Sequence, residues 1–426
     1  MSRSQIIAGL DVGTSSIKVL VAEKVGNEWE VLSYAKIPSF GLRRGSVVNV
    51  EETAKNIQLL IASVERDCNK KIHSVFVNIG GSHLYTTPSD GLISVSRADH
   101  VISQEDIERV LQATRAINIP MNEEILDVFP KEFIIDDQEG IKQPLGLNGV
   151  RLQAKVVLLC YFQSYFINLT QAVLNAKLQI DDIVPSPLAA AEAVLTPQQK
   201  EIGAAVIDIG AATTSLAVFE EGDVIHLAIF PLGSANITND LAIGLRTEVA
   251  IAEDIKKQHG TCILDKNEKD KKDQEKKKIS IRGDHARDPE IEETADKPYP
   301  VSFTKKSLID IIEPRVSEIL DVMQKELKKI GRQELLPGGI VLTGGGAKLP
   351  RIRELAKEKL KLPCEIGVPK GIIGLEQDPA LATVAGLVVG SADFSDGKKE
   401  HVLGLPWNSM KGWGSKFKRM FRVFIP

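Results

Sequence analysis

Two short stretches of the chain repeat one design. Residues 6–18 run from an apolar strand into Asp11-Val12-Gly13-Thr14-Ser15-Ser16 and out along a second apolar strand carrying Lys18. Residues 205–215 do the same through Asp208-Ile209-Gly210-Ala211-Ala212-Thr213. A turn of Gly, Ser and Thr puts no bulky substituent between a ligand and the backbone N–H groups, so it can cradle phosphate oxygens, with the hydroxyls as extra donors. An Asp at the strand end can hold hydrated Mg²⁺, which prefers one or two carboxylates, waters and the phosphates themselves. Lys18 can reach a phosphate as a point charge. One such hairpin is commonplace, but two in one chain predict two similar domains gripping a polyphosphate between them.

The rest of the composition narrows the class. With 426 residues, and roughly 150 per domain, the chain is long enough for two to four domains. It is 43% hydrophobic and 26% charged, as soluble globular proteins are, and its core is aliphatic, with 5% aromatic residues. A net charge of −4 gives no global basic field for nucleic acid, and no nucleic-acid partner is expected. Cys68, Cys160, Cys262 and Cys364 lack metal-ligand spacing and read as reduced thiols of a cytosolic protein. No signal-peptide core opens the chain, and no apolar run approaches the ~18–20 residues of a membrane span. The body is therefore expected in the cytoplasm.

Along the chain, strands are expected at 5–24, 29–37 and Ser74–Ile79, with a helix over Glu51–Arg66 between them. Ser103 opens a helix through Ala116, and strands follow around Glu124–Ile135 and Leu152–Leu159. Together these suggest a small inserted α+β domain within residues 82–160. Residues 163–178 read as a helix and Ile180–Val184 as a strand. Pro185-Ser186-Pro187 leads into an alanine-rich helix, Leu188–Leu195. After the second hairpin, helices are expected over Ser234–Gly244, Arg246–His259 and Lys305–Lys329. Residues 265–300 are of low complexity, with seven Lys and five acids between Asp265 and Lys278, and are expected to be a solvated loop. A buried strand, Leu336–Thr343, precedes helices at Leu349–Lys359 and Pro379–Gly390, and residues 391–406 read as a linker.

Gly344-Gly345-Gly346 lies at a strand-to-helix junction, where three glycines let a flat ring or a phosphate approach the backbone. Glu253 and Lys256 sit one helical turn apart on one face, placed to contact a ribose and a base or to form an ordinary ion pair. Neither Walker-A nor Gly-x-Gly-x-x-Gly spacing occurs, which disfavours the P-loop and Rossmann classes.

The last twenty residues carry a different signal. Trp407, Met410, Trp413, Phe417, Met420, Phe421, Phe424 and Ile425 fall within an arc of roughly 140° on a helical wheel. Lys411, Lys416, Lys418, Arg419 and Arg422 fill the other side, with no acidic residue among them. That is the pattern of a helix lying in a membrane interface, aromatics inward and cations toward anionic lipid, or of a helix seated in a protein groove. Gly412 and Gly414 weaken it in isolation, so it is expected to order only on lipid.

The two Asp-x-Gly hairpins and the glycine loop, in this order, resemble the actin / sugar-kinase / heat-shock-chaperone ATPase superfamily. More narrowly the chain resembles the FtsA family of bacterial cell-division actin homologues over nearly its whole length. Gly41-Leu-Arg-Arg-Gly-Ser-Val-Val-Asn49, Pro130-Lys-Glu-Phe-Ile-Ile-Asp136, Leu145-Gly-Leu-Asn-Gly-Val-Arg-Leu152, Ile312-Glu-Pro-Arg315 and Val341-Leu-Thr-Gly-Gly-Gly-Ala347 carry the likeness. The resemblance implies an α/β, actin-like ATPase fold. It has two lobes of mixed sheet flanked by helices, a small α+β subdomain inserted in the first lobe, and a C-terminal amphipathic helix. The first lobe would comprise 1–82 and 161–200, and the insert 83–160. The second-lobe core would be 201–262 and 330–390, with a smaller subdomain at 263–329. A linker at 391–406 and a membrane-targeting helix at 407–426 would follow.

Carried over residue by residue, Asp11, Gly13, Thr14, Ser15, Ser16 and Lys18 match the first phosphate loop, and Asp208, Gly210, Ala211, Ala212 and Thr213 the second. Glu253 and Lys256 match the adenosine-side helix, and Gly344, Gly345 and Gly346 the adenosine loop, with Asp11 and Asp208 organising Mg²⁺ through water. The cofactors implied are ATP and Mg²⁺. The family usually has Gly-Gly where this chain has Ala211-Ala212, and an alanine at φ > 0 costs about 1 kcal/mol or more. Binding is expected to survive, with weak or no hydrolysis. Glu192 is the one carboxylate offered as a base, and a structural role suits it better. The implied function is an ATP-binding, polymerising protein that tethers the tubulin-like FtsZ to the cytoplasmic membrane at the septum. Its partners would be the FtsZ tail, further copies of itself, anionic lipid and other division proteins. Arg315 is the candidate contact for the FtsZ tail, or a structural salt bridge. A sugar or acetate kinase, and the pilus-assembly actin homologue, are the competing readings.

Overall fold

A computed structural model describes residues 5–26, 28–264, 279–281 and 301–395. The expected solvated loop falls almost wholly outside those residues, as do the tail at 407–426 and most of the expected linker.

A six-stranded sheet builds the first lobe. Its strand order is Gln179–Pro185, Ser74–Ile79, Ile6–Val12, Ser16–Val25, Glu28–Pro38 and Ile372–Ile373. The central strands are near-continuous apolar runs because both their faces are covered. On one face lie the helices Val50–Cys68 and Gln163–Asn175, closing a core around Leu10, Ile17, Val19, Ile57, Val77 and Phe166. Asn49 caps the first of these helices by accepting from the Glu52 amide, and Asn69 ends it in the left-handed conformation that Asn tolerates.

A nine-stranded sheet carries the second lobe and the insert together. From one edge it runs Cys364–Ile366, Gly339–Thr343, Ala204–Ile209, Thr214–Glu220 and Asp223–Phe230, then Tyr85–Ser94, Arg151–Phe162, Glu123–Ile135 and Gln138–Ile141. The insert leaves the chain from the first lobe, yet its sheet joins the second through one ladder pair, Ala228 opposite Tyr85. Thr86 reinforces the junction by donating to the Leu227 carbonyl at 3.0 Å, and Lys142 pairs with Asp223 at 2.9 Å. The insert keeps its own core around Ile107, Val110, Phe133, Leu152 and Leu158 under the helix Gln104–Thr114. That helix opens with a Ser103–Asp106 capping box.

In the second lobe, helices Ser234–Leu245 and Val249–His259 share one core with Lys305–Lys329. Residues from 234 onward therefore share a core with the expected smaller subdomain at 263–329 and with the sheet of this lobe. The short strands Ile279–Ile281 and Val301–Phe303 pair with each other.

Two helices lie between the sheets. Ser186–Val194 and Ala382–Ser395 cross so closely that a Cβ on Gly386 would sit 1.6 Å from the Ala189 carbonyl oxygen. The pair packs on Ile7, Leu20 and Phe76 of one sheet and on Ala204, Val206 and Val341 of the other. The second of these helices runs five residues into the stretch expected as linker, and Ser391 is fully buried. No helix among the described residues is long and apolar enough to cross a membrane.

Candidate functional site

The first Asp-x-Gly turn joins strands paired in register, Asp11 opposite Lys18 and Val12 opposite Ile17. Gly13, Thr14 and Ser15 form its open tip, and their amides donate to no acceptor among the described residues. Ser16 already belongs to the return strand and is buried. The Thr14 hydroxyl accepts from the Gly45 amide at 2.8 Å, and Ser39 donates to the Gly13 carbonyl. Lys18 does not stand free for a phosphate as expected. Its Nζ lies 2.6 Å from Asp11 Oδ2, with both side chains nearly buried.

Two residues that sequence reasoning missed hold Asp11 in place. Asn78, at the end of the strand Ser74–Ile79, donates to Asp11 Oδ1 at 2.9 Å and accepts from the Val12 amide at 2.7 Å. It also donates to Ser186 Oγ at 3.0 Å, and Ser186 donates on to the Ile79 carbonyl. The available signals were a polar residue closing an apolar strand just before Gly80-Gly81, and a serine set between two prolines.

The second turn repeats the first with different supports. The Gly210 amide donates to Thr213 at 2.8 Å across the turn. The carbonyls of Gly210 and Ala211 accept from Ser234 and Ala235, the first amides of the helix Ser234–Leu245. Neither Ala211 nor Ala212 has positive φ. The backbone penalty expected of this Ala-Ala pair is therefore absent, and with it the reason given for impaired hydrolysis.

Asp208 is partly exposed and has one weak partner, Thr383 Oγ1 at 3.4 Å. Burial first, and the charge of Asp11 second, push its pKa up to about 6, with Lys18 and Thr383 opposing. Folded Asp208 thus binds a proton that the unfolded chain, at 3.8, has already released. Its destabilisation is greatest above pH 6 and fades as pH falls toward 4. Asp208→Asn should stabilise the nucleotide-free protein by about 1–3 kcal/mol at pH 7.5 and by much less at pH 4.5. Thermal melts at the two pH values read this directly; equal melting temperatures for variant and wild type at both would show that Asp208 titrates as in water.

The glycine loop lies against Asp208. Gly344, at φ 83° and ψ 172°, brings its Cα so near that an added Cβ would be 2.1 Å from Asp208 Oδ1. A Cβ on Gly346 would be 2.3 Å from Ile209, whereas Gly345 is exposed with open space beside it. Thr343 Oγ1 bonds the carbonyls of Gly367 and Pro379, fixing the strand end. The two turns and the glycine loop therefore converge on one cleft. Unbonded amides on the first turn, two facing carboxylates, one of them without a strong partner, and an open glycine all suit a nucleotide polyphosphate with a hydrated divalent cation. Asp208 is the carboxylate free to face that cation, since Asp11 is already engaged. No group of three or more metal-ligating side chains occurs among the described residues.

Other expected site residues have partners of their own. Glu253 and Lys256 pair at 2.7 Å, and Lys256 also bonds the Ser234 carbonyl and Thr238, locking two helices together. Burial lowers the pKa of Lys256; burial would raise that of Glu253, but hydrogen bonds from Lys256 and Thr238 outweigh it. Glu192 pairs with Lys200 at 2.7 Å, the structural role that suited it better. Arg315 forks onto both oxygens of Asp240 and reaches Glu318, joining the helices Lys305–Lys329 and Ser234–Leu245. The residues expected to bind a membrane, from Trp407 to Phe424, lie outside the described residues.

Comparison with known proteins agrees with this architecture. Residues 205–386 match the family model of cell division protein FtsA, and residues 81–160 that of the SHS2 domain inserted in FtsA. The chain is 36% identical over 410 residues to cell division protein FtsA of Pseudomonas aeruginosa, covering 95% of this chain and 94% of that protein. It is 34% identical to FtsA of Bacillus subtilis, covering 91% and 84%, and 30% identical to that of Escherichia coli K12, covering 94% and 92%. Among solved structures, a chain of the PilM-PilN type IV pilus biogenesis complex superposes with a TM-score of 0.62 at 18% identity, covering 90% of this chain and 97% of that one. MreB5 of Spiroplasma citri bound to ADP superposes with a TM-score of 0.55 at 14% identity, covering 92% and 97%. These likenesses show the actin-like fold, and the curated relatives show the narrower kinship: the chain belongs to the FtsA family of actin-like cell-division proteins.

Proposed function

We propose that the protein binds ATP with Mg²⁺ in this cleft, polymerises, and tethers FtsZ filaments to the cytoplasmic membrane at the division septum. The convergence of both Asp-x-Gly turns and the glycine loop on one cleft carries the nucleotide part. When bound, the cation neutralises phosphate charge beside Asp208, the turn amides hold the phosphates, and Gly345 leaves room for the adenosine. The aromatic and cationic pattern of residues 407–426 supports the membrane part. For the FtsZ tail, the favoured surface is the smaller subdomain of the second lobe with the helices that share its core. There Ile243, 76% exposed, lies one helical turn from Asp240 and its partner Arg315, and Val249 is 56% exposed nearby. A kinase reading needs a free carboxylate base, and Glu192 is held by Lys200.

Co-sedimentation with liposomes of anionic phospholipid tests the proposal. Purified FtsZ should pellet with vesicles only when the full chain and Mg-ATP are present. A version ending at Leu405 should leave FtsZ in the supernatant, and so should Asp208→Ala even with Mg-ATP present. Equal pelleting by the full and shortened chains would overturn the tether.

A further inference from the structure

Asp11, Lys18 and Lys36 form one row across three neighbouring strands, Asp11 opposite Lys18 and Lys18 opposite Lys36. Directly opposed residues of antiparallel strands project from the same face, with Cβ atoms about 5 Å apart. The strand Glu28–Pro38 turns Ala35 and Ile37 into the first-lobe core, which leaves Lys36 on the opposite face with Lys18. That face looks toward the helix Ala382–Ser395, since Leu20, Ala22 and Tyr34 on it pack there.

Two cations side by side on adjacent strands destabilise a sheet. Lys18 is neutralised by Asp11 at 2.6 Å. Lys36 is exposed and makes no ion pair or hydrogen bond among the described residues. Partial burial and then Lys18 lower its pKa. Its other electrostatic neighbours come from across the cleft: Asp378, already bonded to Lys348 at 2.8 Å, then Lys348 itself and Lys257. Lys36 therefore carries the uncompensated positive charge of the row, beside the turn whose amides are open. We propose that Lys36 is a phosphate-binding residue of this cleft, contacting the terminal part of a bound polyphosphate while Lys18 chiefly fixes Asp11. The inference rests on the nucleotide reading above.

The experiment uses the full chain, with inorganic tripolyphosphate plus Mg²⁺, and adenosine, as separate probes in calorimetric titrations. Lys36→Gln should weaken tripolyphosphate roughly tenfold, the size of one lost charged contact. It should make the remaining binding less sensitive to salt and leave adenosine unchanged. It should also raise the melting temperature of the ligand-free protein, because a like-charge neighbour is gone. Lys36→Arg should keep tripolyphosphate affinity near wild type. A residue that merely shaped the fold would shift stability and binding in the same direction. Tripolyphosphate binding unchanged in Lys36→Gln, with the wild type binding it, overturns the role of Lys36 alone. A wild type that binds neither probe overturns the nucleotide reading and this inference with it.

Discussion

Gly386→Ala is expected to cost about 3 kcal/mol or more in stability, a large loss for one methyl group. The added Cβ would lie 1.6 Å from the Ala189 carbonyl oxygen and 2.4 Å from its carbon. Both are backbone atoms in the middle of a helix, so no side-chain rotation relieves the overlap, and the helices Ser186–Val194 and Ala382–Ser395 must part. They are also the layer between the two sheets, so a wedge there disturbs the packing of both lobes at once. Urea denaturation of purified variant and wild type measures the effect. Because the clash is with main chain, Ala189→Gly should not rescue it. A variant whose unfolding curve overlays the wild type's would mean that the helix crossing is looser than described.

Gly344→Ala should abolish tight nucleotide binding, lowering Mg-ATP affinity by about a hundredfold or more, which is roughly 3 kcal/mol. Its backbone conformation belongs to a region that essentially only glycine occupies, costing other residues about 1–3 kcal/mol. The new Cβ would also strike Asp208 Oδ1 at 2.1 Å and the Ile209 carbonyl oxygen at 2.6 Å. The variant thus displaces the carboxylate placed to face the cation as well as the loop placed to face the adenosine. Gly345 separates local damage from loss of fold. Nothing lies within 4 Å of a Cβ there, so Gly345→Leu should melt like the wild type yet obstruct the nucleotide. Equilibrium titration with a fluorescent ATP analogue reads all three proteins. Full affinity in Gly345→Leu would remove this loop from the nucleotide site.

The elements visible from sequence were those whose local chemistry and tertiary setting agree. Ser74–Ile79 and Lys305–Lys329 fall where apolar periodicity put them, the second despite Pro314 within it. Both Asp-x-Gly turns lie on one cleft, as the duplicated pattern implied. The strand Tyr85–Ser94 escaped notice because Pro88, Gly91 and its polar residues argue locally against a strand. It forms because Arg151–Phe162 pairs along its whole length, and because Gly91 lets the helix Gln104–Thr114 lie close, within 2.7 Å of where a Cβ would be. Asn78 and Ser186 become site residues only when a strand end and a helix start far apart in the chain are brought together. Lys36 was hidden for the same reason, since cross-strand register placed it in the row with Lys18. The Ala211-Ala212 pair misled in the other direction. A family pattern of glycines suggested left-handed backbone, and the turn here is made without it.

The junction at Ala228 and Tyr85 has a mechanical consequence. The insert is attached to one lobe by peptide bonds and to the other by a short run of hydrogen bonds, so it ties the two lobes together as a brace. Any rotation of one lobe against the other must either shear that junction or swing the insert with it. The free edge strand Gln138–Ile141, at the far end of the shared sheet, then travels farthest. Small changes around a nucleotide would be read there as displacement, at the margin where another molecule could lie alongside.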